Sequence, residues 1–140
     1  MQTFLPYASF ARSAEVLDRE RLGKQRSEVL QILKALDRKR RGIKAGWQSH
    51  TAVKLWEPFP ELLIPYGKTI CREWMMWGYN DTTLNKIARF ERVFGAVNVD
   101  SAPFSEALYA SHRAALLEKL PAHYGTFGWN EIPKIDYVWR

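Results

Sequence analysis

LGKQRSEVLQIL, residues 22–33, is the stretch that decides the fold. Its apolar residues recur at spacings of three and four, which is typical of an amphipathic helix. At about 100° per residue, Leu22, Val29, Leu33 and Leu36 fall on one narrow stripe. This stripe predicts a helix that buries one face against the rest of the chain.

The same pattern extends in both directions and predicts a main helix from about Asp18 to Arg41. Its last turn is rich in cations, which suit the negative end of the helix dipole, and Gly42 is a good stop signal. Gly23 inside the helix carries a mild cost in helix propensity. We therefore expect Gly23 to allow another segment to approach closely.

Glu28 lies on the flank of this helix together with Arg21, at the margin of the predicted buried face. Two interpretations are open. Glu28 is an ordinary surface carboxylate paired with Lys24 one turn away, a pair worth only a few tenths of a kcal/mol, or it is a catalytic group held in a basic cleft. In either case the neighbouring cations keep the carboxylate ionised at neutral pH.

The remaining elements are also predicted to be helical, because alternation at period two is nearly absent. Ser9 or Ser13 is expected to cap a short first helix through Val16. Pro65 is expected to kink or restart its helix, and Pro103 to occupy a first helical position. Further helices are predicted over residues 51–57, 60–77, 82–94 and 103–120, with an extended arm at residues 3–7 and an irregular aromatic tail after Pro121. The expected fold is all-α, with three main helices in a single domain over residues 1–140.

Composition narrows the function classes. The 140-residue chain has a net charge of +6 and 14% aromatic residues, a combination that suits phosphate contacts and base stacking. Affinity for acidic membranes and plain solubility also explain the charge, and many of the rings are expected in the core. No apolar run approaches the roughly 18 residues of a membrane span. We see no signal peptide and only one cysteine, which favours a reducing cytoplasm. We also expect a monomer.

The chemistry-bearing residues point away from bound cofactors. His50, His112 and His123 are scattered, and no paired-cysteine or HExxH spacing is present. No glycine-rich loop follows a strand, and Ser111 and His112 are helix neighbours that do not face each other. We therefore expect neither a metal nor an organic cofactor.

Four segments, in order, carry a family resemblance: LDRERLGKQRSE, SHTAVKLW, ICREWMMWGYNDT and ASHRAALLEK. Their order and spacing resemble the pyrimidine-dimer DNA glycosylases of the endonuclease V type, in a divergent bacterial form. Arg21, Leu22 and Glu28 match a family spacing in which a glutamate follows a basic position by seven residues. Glu73 and the residues from Gly78 to Thr82 resemble the end of the family's middle helix. Residues 116–119 resemble its third helix, and residues 124–129 resemble its aromatic tail.

The resemblance implies a small all-α base-excision enzyme that acts without metal or cofactor on double-stranded DNA containing a lesion. In the family, the α-amine of the chain attacks C1′ of the damaged nucleotide, forms a Schiff base and nicks the strand by β-elimination. The bulky Gln2 normally leaves the initiator in place, so Met1 is the expected nucleophile and Glu28 the expected carboxylate. The side chains expected to contact DNA are those of Arg21, Lys24, Gln25, Arg26, Arg113 and Lys119. The alternatives are a non-catalytic helical module that binds distorted DNA or structured RNA, and a protein-interaction role.

Overall fold

Helices account for the regular structure of this protein, which a computed structural model describes over all 140 residues. The helices are α1 (Phe10–Val16), α2 (Arg19–Arg40), α3 (Thr51–Trp56), α4 (Pro60–Met76), α5 (Leu84–Ala88), α6 (Glu91–Phe94), α7 (Glu106–Lys119) and α8 (Pro121–Tyr124), followed by a 3-10 turn at Gly125–Phe127. No strand is formed, and one isolated bridge joins Ser9 to Ser101. The all-α prediction is confirmed. None of the helices has the length and apolar character that a membrane crossing requires.

The predicted main helix is confirmed as α2, at the centre of the fold. Asp18 caps its first turn, because the Asp18 carboxylate accepts a hydrogen bond from the Arg21 backbone N–H. Leu22, Val29 and Leu33 are fully buried, as their stripe predicted. The end falls at Arg40, and Gly42 follows with a φ of 73°, in the left-handed region that glycine tolerates best.

Two glycines let α2 and α4 approach each other closely. A Cβ built on Gly67 of α4 would lie 2.6 Å from Val29 Cγ1 on α2. A Cβ built on Gly23 of α2 would lie 2.9 Å from the Trp74 ring of α4, so the predicted role of Gly23 agrees with the structure. The N-terminal arm lies beside this contact, where both Gln25 of α2 and Tyr66 of α4 bind it.

Three local predictions differ from the structure. The helix predicted over residues 82–94 is broken into α5 and α6, because the hydrogen bond of the Phe90 N–H shifts to the carbonyl three residues back, at Ile87. Pro103 is not a first helical residue. Ser105 caps α7 instead, while Tyr109 Oη binds the Phe104 N–H and the Ala102 carbonyl and holds the chain extended. Pro65 does not restart α4, which runs on without a break.

The arm and the tail are better ordered than the sequence suggests. Residues 2–6 have no helix or strand, yet they are all buried in the interior. The tail begins with α8 and the 3-10 turn, and only residues 128–140 lack regular structure. Tyr137 and Trp139 pack against the core, so the tail covers the arm.

Candidate active site

A cavity of about 400 Å³ opens where the N-terminal arm meets α2. The arm contributes Met1, Gln2 and Phe4, and α2 contributes Glu20, Arg21, Lys24, Gln25 and Glu28. Lys119, the last residue of α7, and Tyr137 of the tail complete the wall. Six of the eight residues predicted to act are therefore brought together, from positions as distant in sequence as 1 and 119.

The face of α2 that lines the cavity follows from helix geometry. Arg21, Lys24, Gln25 and Glu28 are linked by spacings of three, four and seven residues, and side chains at such spacings share one side of a helix. This side lies next to the buried stripe, so residues on its inner edge are shielded and those on its outer edge reach solvent. Gln25 and Glu28 accordingly are buried, whereas the Lys24 side chain is 75% exposed.

The cavity is predominantly cationic. Arg21, Lys24, Lys119 and the α-ammonium group outnumber the two carboxylates, Glu20 and Glu28. Lys119 is exposed and forms no salt bridge. Lys24 makes one long contact, in which its Nζ atom lies 4.0 Å from Glu28 Oε1. These two ammonium groups are free to contact an anionic backbone such as that of DNA.

Arg21 is held in place at the rim. Its Nη1 atom lies 3.2 Å from Asp18 Oδ1 in a salt bridge. Burial alone would raise the pKa of Asp18, but the hydrogen bonds from Tyr124 and Arg21 outweigh burial, and the net pKa is lowered. The ionised Asp18 thereby fixes the Arg21 side chain at the start of α2.

Glu28 is a buried carboxylate with one oxygen uncommitted. Its residue exposure is 8%, and Oε2 accepts a hydrogen bond of 2.6 Å from Gln25 Nε2. Oε1 accepts no hydrogen bond from the protein, and the nearest cation, Lys24 Nζ, is 4.0 Å away. A pair this long, made to an exposed lysine, is worth little. The ion pair therefore exists but does not explain why a carboxylate is held here.

Gln25 connects the carboxylate to the start of the chain. Its Nε2 atom donates both to Glu28 Oε2 and, over 2.7 Å, to the Gln2 carbonyl. Its Oε1 atom accepts from the Phe4 N–H over 2.9 Å and lies 2.9 Å from Tyr66 Oη, whose single proton is shared with the Phe4 carbonyl. Both N–H donors of the Gln25 amide are thus used within the protein. Gln25 was predicted to contact DNA; the structure gives it the role of positioning the arm and Glu28.

The rest of the arm is anchored by side chains rather than by backbone pairing. The Leu5 N–H donates to His112 Nδ1 over 2.8 Å, and Trp56 Nε1 donates to Thr3 Oγ1 over 2.9 Å. Tyr66 Oη, from α4, donates to the Phe4 carbonyl over 2.7 Å. Side chains from α2, α3, α4 and α7 consequently fix the direction in which Met1 enters the cavity.

Tyr137 was missed by the sequence interpretation. Its ring makes edge contacts with Phe4 and with His112, whose centroids lie 6.4 Å and 5.6 Å away. Burial raises the pKa of Tyr137, with opposing influences from Arg21 and Glu28, which shows that the phenol lies within electrostatic reach of both. No spacing in the irregular tail could have indicated this contact.

Two predicted DNA contacts lie outside the cavity. Arg26 forms a 2.7 Å salt bridge with Asp81 and lies over the Trp74 ring, where it joins α2 to the end of α4. Arg113 donates to Glu131, Glu106 and the Pro6 carbonyl. These guanidinium groups are occupied by intramolecular partners, so their observed contacts are architectural, and their role at phosphates stays a prediction.

The candidate metal ligands remain apart. No group of three or more His, Cys, Asp or Glu side chains comes close enough to hold a metal ion. His50 caps α3 through Nδ1, and His123 Nε2 contacts the Val16 carbonyl. Cys71 is buried in the core, and burial raises the pKa of its thiol to about 12.

A cationic cavity lined by Met1 and by the buried carboxylate of Glu28 has the residues that the sequence predicted for an enzyme acting on DNA. Residues 1–86 match the family model described as pyrimidine dimer DNA glycosylase. No curated protein and no solved structure matches the chain.

The family match covers more than half of the chain, so the protein belongs to the pyrimidine dimer DNA glycosylase family. At the level of the family it is a DNA repair glycosylase, and its substrate is DNA. The matched residues include the arm and all of α2, and hence Met1 and Glu28, whereas Lys119 and Tyr137 lie beyond them. The resemblance drawn from the sequence motifs is confirmed.

Proposed function

We propose that this protein excises a damaged pyrimidine from double-stranded DNA and then nicks the strand, with the Met1 α-amine as nucleophile and Glu28 as the catalytic carboxylate. One observation carries the proposal: Gln25 Nε2 donates at once to the Gln2 carbonyl and to Glu28 Oε2. This bridge ties the residue next to the amine to the carboxylate, inside a cavity lined by cations.

In the first step, the uncharged amine forms a bond to C1′ of the damaged nucleotide. The glycosidic bond breaks, and the base leaves with its electron pair and takes up a proton. The ionised Glu28 lies beside the sugar and stabilises the positive charge that develops there. An α-amine ordinarily has a pKa of about 7.7–8.0, compared with about 10.4 for lysine, so a larger fraction is nucleophilic at neutral pH.

In the second step, the sugar ring opens as the C1′–O4′ bond breaks, O4′ gains a proton, and C1′ becomes double-bonded to the Met1 nitrogen. Loss of a proton from C2′ then expels the 3′-phosphate by β-elimination. Glu28 assists these proton transfers, for which a positioned carboxylate is suited. Hydrolysis of the imine releases the DNA and restores the amine.

The DNA backbone is proposed to lie along the cationic rim. Arg21, Lys24 and Lys119 are the contacts, because all three line the cavity and the two lysines have no close carboxylate partner. Since Lys119 and Tyr137 come from beyond the region that matches the family, we propose that the whole chain, residues 1–140, acts as one domain. We also propose a monomer as the working unit.

The test is borohydride trapping on a duplex that contains one abasic site. Reduction of the imine should leave a covalent adduct, and peptide mapping should locate the adduct at the N-terminal peptide. Lys24 and Lys119 line the same cavity and provide the competing amines, so an adduct on either lysine peptide would contradict the assignment of Met1. Intact mass of the purified protein should show Met1 present and unblocked.

A failure of trapping is informative only with a binding measurement beside it. If lesion-containing DNA binds and no adduct forms, the Schiff-base mechanism is wrong. Lys24→Ala and Lys119→Ala serve as matched variants, because each removes a competing amine and should leave the trapped N-terminal peptide in place.

A further inference from the structure

Trp47 stands out on the loop between α2 and α3. Its side chain is 58% exposed, and its backbone φ is 72°, the one positive value at a residue other than glycine. Bulky residues rarely adopt this left-handed conformation, which is strained for them and recurs at ligand-contacting sites. The loop thus holds a large aromatic ring out into solvent in a conformation that favours glycine.

The loop is connected to the active-site cavity through His50. The Trp47 and His50 rings meet edge to face with centroids 5.9 Å apart, and His50 Nδ1 caps α3 by accepting from the Ala52 N–H. At the other end of α3, Trp56 donates to Thr3 of the arm. Burial and the positive charge of the Met1 ammonium group both lower the pKa of His50, so the amine lies within electrostatic reach of the imidazole.

The stretch of chain that leads to Trp47 is cationic. Arg38, Lys39, Arg40, Arg41 and Lys44 precede it within nine residues. Asp37 and Glu57 pair with three of these cations, while Arg38 and Lys44 form no salt bridge. An exposed ring that follows unpaired cations in the chain matches the chemistry of nucleic acid, which offers stacking faces and phosphates together.

We propose that Trp47 is a DNA-contacting residue that stacks on a nucleobase beside the lesion and holds the distorted duplex over the Met1–Glu28 cavity. The partner that contacts Trp47 is lesion-containing DNA. The inference rests on the proposed function in one respect, namely that the reacting nucleotide lies at the Met1–Glu28 cavity. Extrusion of a nucleotide leaves neighbouring bases unstacked, and an indole ring is a suitable replacement partner. His50 acts as a positioning residue that supports the indole from the side.

Binding to a duplex with a non-cleavable tetrahydrofuran abasic analogue tests the role of Trp47 without requiring catalysis. Stacking on one base predicts a roughly 5- to 100-fold weaker Kd for Trp47→Ala. The Trp47→Phe variant keeps an aromatic face and should stay within about threefold of the wild type. For an undamaged duplex of the same sequence, which leaves no base unstacked, Trp47→Ala should bind nearly as well as the wild type.

Trp77→Ala is the matched control, since Trp77 is also exposed, at 44%, but lies at the end of α4 and not on the loop between α2 and α3. Its Kd for the analogue duplex should be unchanged. Equal binding by Trp47→Ala and wild type would overturn the inference, as would an equal loss in Trp77→Ala. Trapping on the abasic duplex is measured separately. If the wild type forms the adduct while Trp47→Ala binds the analogue duplex normally, the proposed function still holds and only the role of Trp47 is wrong.

A third variant, Trp47→Gly, separates the DNA contact from stability. Glycine accepts the positive φ at this position without strain. We expect the Tm of Trp47→Gly to equal or exceed that of the wild type while its binding is as weak as that of Trp47→Ala. If the Trp47 variants lose binding only to the extent that their Tm falls, Trp47 stabilises the fold and does not contact DNA.

Discussion

At the scale of single residues, Glu28 decides whether the cavity is catalytic. Its position at the margin of the buried stripe could be predicted from periodicity, because helix geometry fixes which residues lie side by side. Its surroundings could not be predicted in the same way. Gln25, which binds Glu28, also binds the Gln2 carbonyl of the arm, 23 residues away in the sequence. The structure therefore leaves the Lys24 pair as a minor contact and supports the proposed chemistry at Glu28.

We predict that Glu28→Gln abolishes base release, by a factor of about 10² to 10⁴, while lesion binding is retained. The amide keeps the shape of the side chain and can still accept the hydrogen bond from Gln25 Nε2, but it lacks the negative charge. Single-turnover measurement of base release, together with Kd on the tetrahydrofuran duplex, checks both parts of the prediction.

Glu20→Gln is the matched control for this substitution, because Glu20 is the other carboxylate of the cavity and also lies on α2. Its base release should stay near the wild-type rate. Wild-type activity in Glu28→Gln would remove Glu28 from the mechanism.

At the scale of elements, the arm shows where prediction from sequence fails. The arm has no periodic pattern, and its order comes from side chains of four helices that form hydrogen bonds with its backbone and with the Thr3 hydroxyl. The positions at which α7 starts and at which α5 and α6 separate could not be predicted from sequence spacing either. Tyr109 lies in α7, and its hydroxyl group holds residues 102–104 extended through two hydrogen bonds. These contacts override the preference of Pro103 for a first helical position.

His112 joins the arm to α7 and makes this connection sensitive to acid. Burial lowers the pKa of His112 to about 3, and Nδ1 accepts from the Leu5 N–H while Nε2 has no partner. The folded protein therefore keeps the imidazole neutral, whereas the unfolded chain takes up a proton below about pH 6.5. The contribution to stability is present above pH 6.5 and is lost progressively as the pH falls towards 3.

From this pKa we predict that the free energy of unfolding at pH 5 is about 2 kcal/mol lower than at pH 8 on account of His112 alone. In His112→Asn, the side-chain oxygen can still accept from Leu5 but does not titrate. The variant should be less stable overall, since a smaller group fills the site, yet its loss between pH 8 and pH 5 should be smaller by about 2 kcal/mol. Urea unfolding at both pH values measures the difference, and an identical pH dependence in the two proteins would contradict it.

At the scale of the whole molecule, the cavity is assembled from the start of the chain, the first half of α2, the end of α7 and the tail. The net charge of +6 predicts an anionic partner but does not say which cations face it. Ion pairing divides the cations into two groups. Arg26 and Arg113 form salt bridges with carboxylates of the same chain, whereas Lys24 and Lys119 have no close carboxylate partner at the cavity.

This division predicts different effects of the cations on DNA binding. In plots of log K against log salt concentration, Lys119→Ala and Lys24→Ala should each reduce the slope by about 0.9, the value for one lost phosphate contact. Arg26→Ala should leave the slope unchanged. It should instead lower the free energy of unfolding by about 3–5 kcal/mol, because it leaves the Asp81 carboxylate, whose side chain is 2% exposed, without its partner.

Fluorescence anisotropy at several salt concentrations, combined with urea unfolding, distinguishes these outcomes. Equal slopes for Lys119→Ala and wild type would place the DNA backbone away from this rim. A reduced slope in Arg26→Ala, with stability unchanged, would restore the role that the sequence alone had suggested for Arg26.

The sequence by itself determined the helical class, the bounds of α2 and the side of α2 on which Glu28 lies. These follow from the spacing of apolar residues and from local capping, which act over a few residues. Only the tertiary structure decided that Met1, Glu28, Lys119 and Tyr137 share one cavity, and that Gln25 holds the arm. Such contacts join residues far apart in the chain, and the packing that brings them together leaves no periodic trace in the sequence.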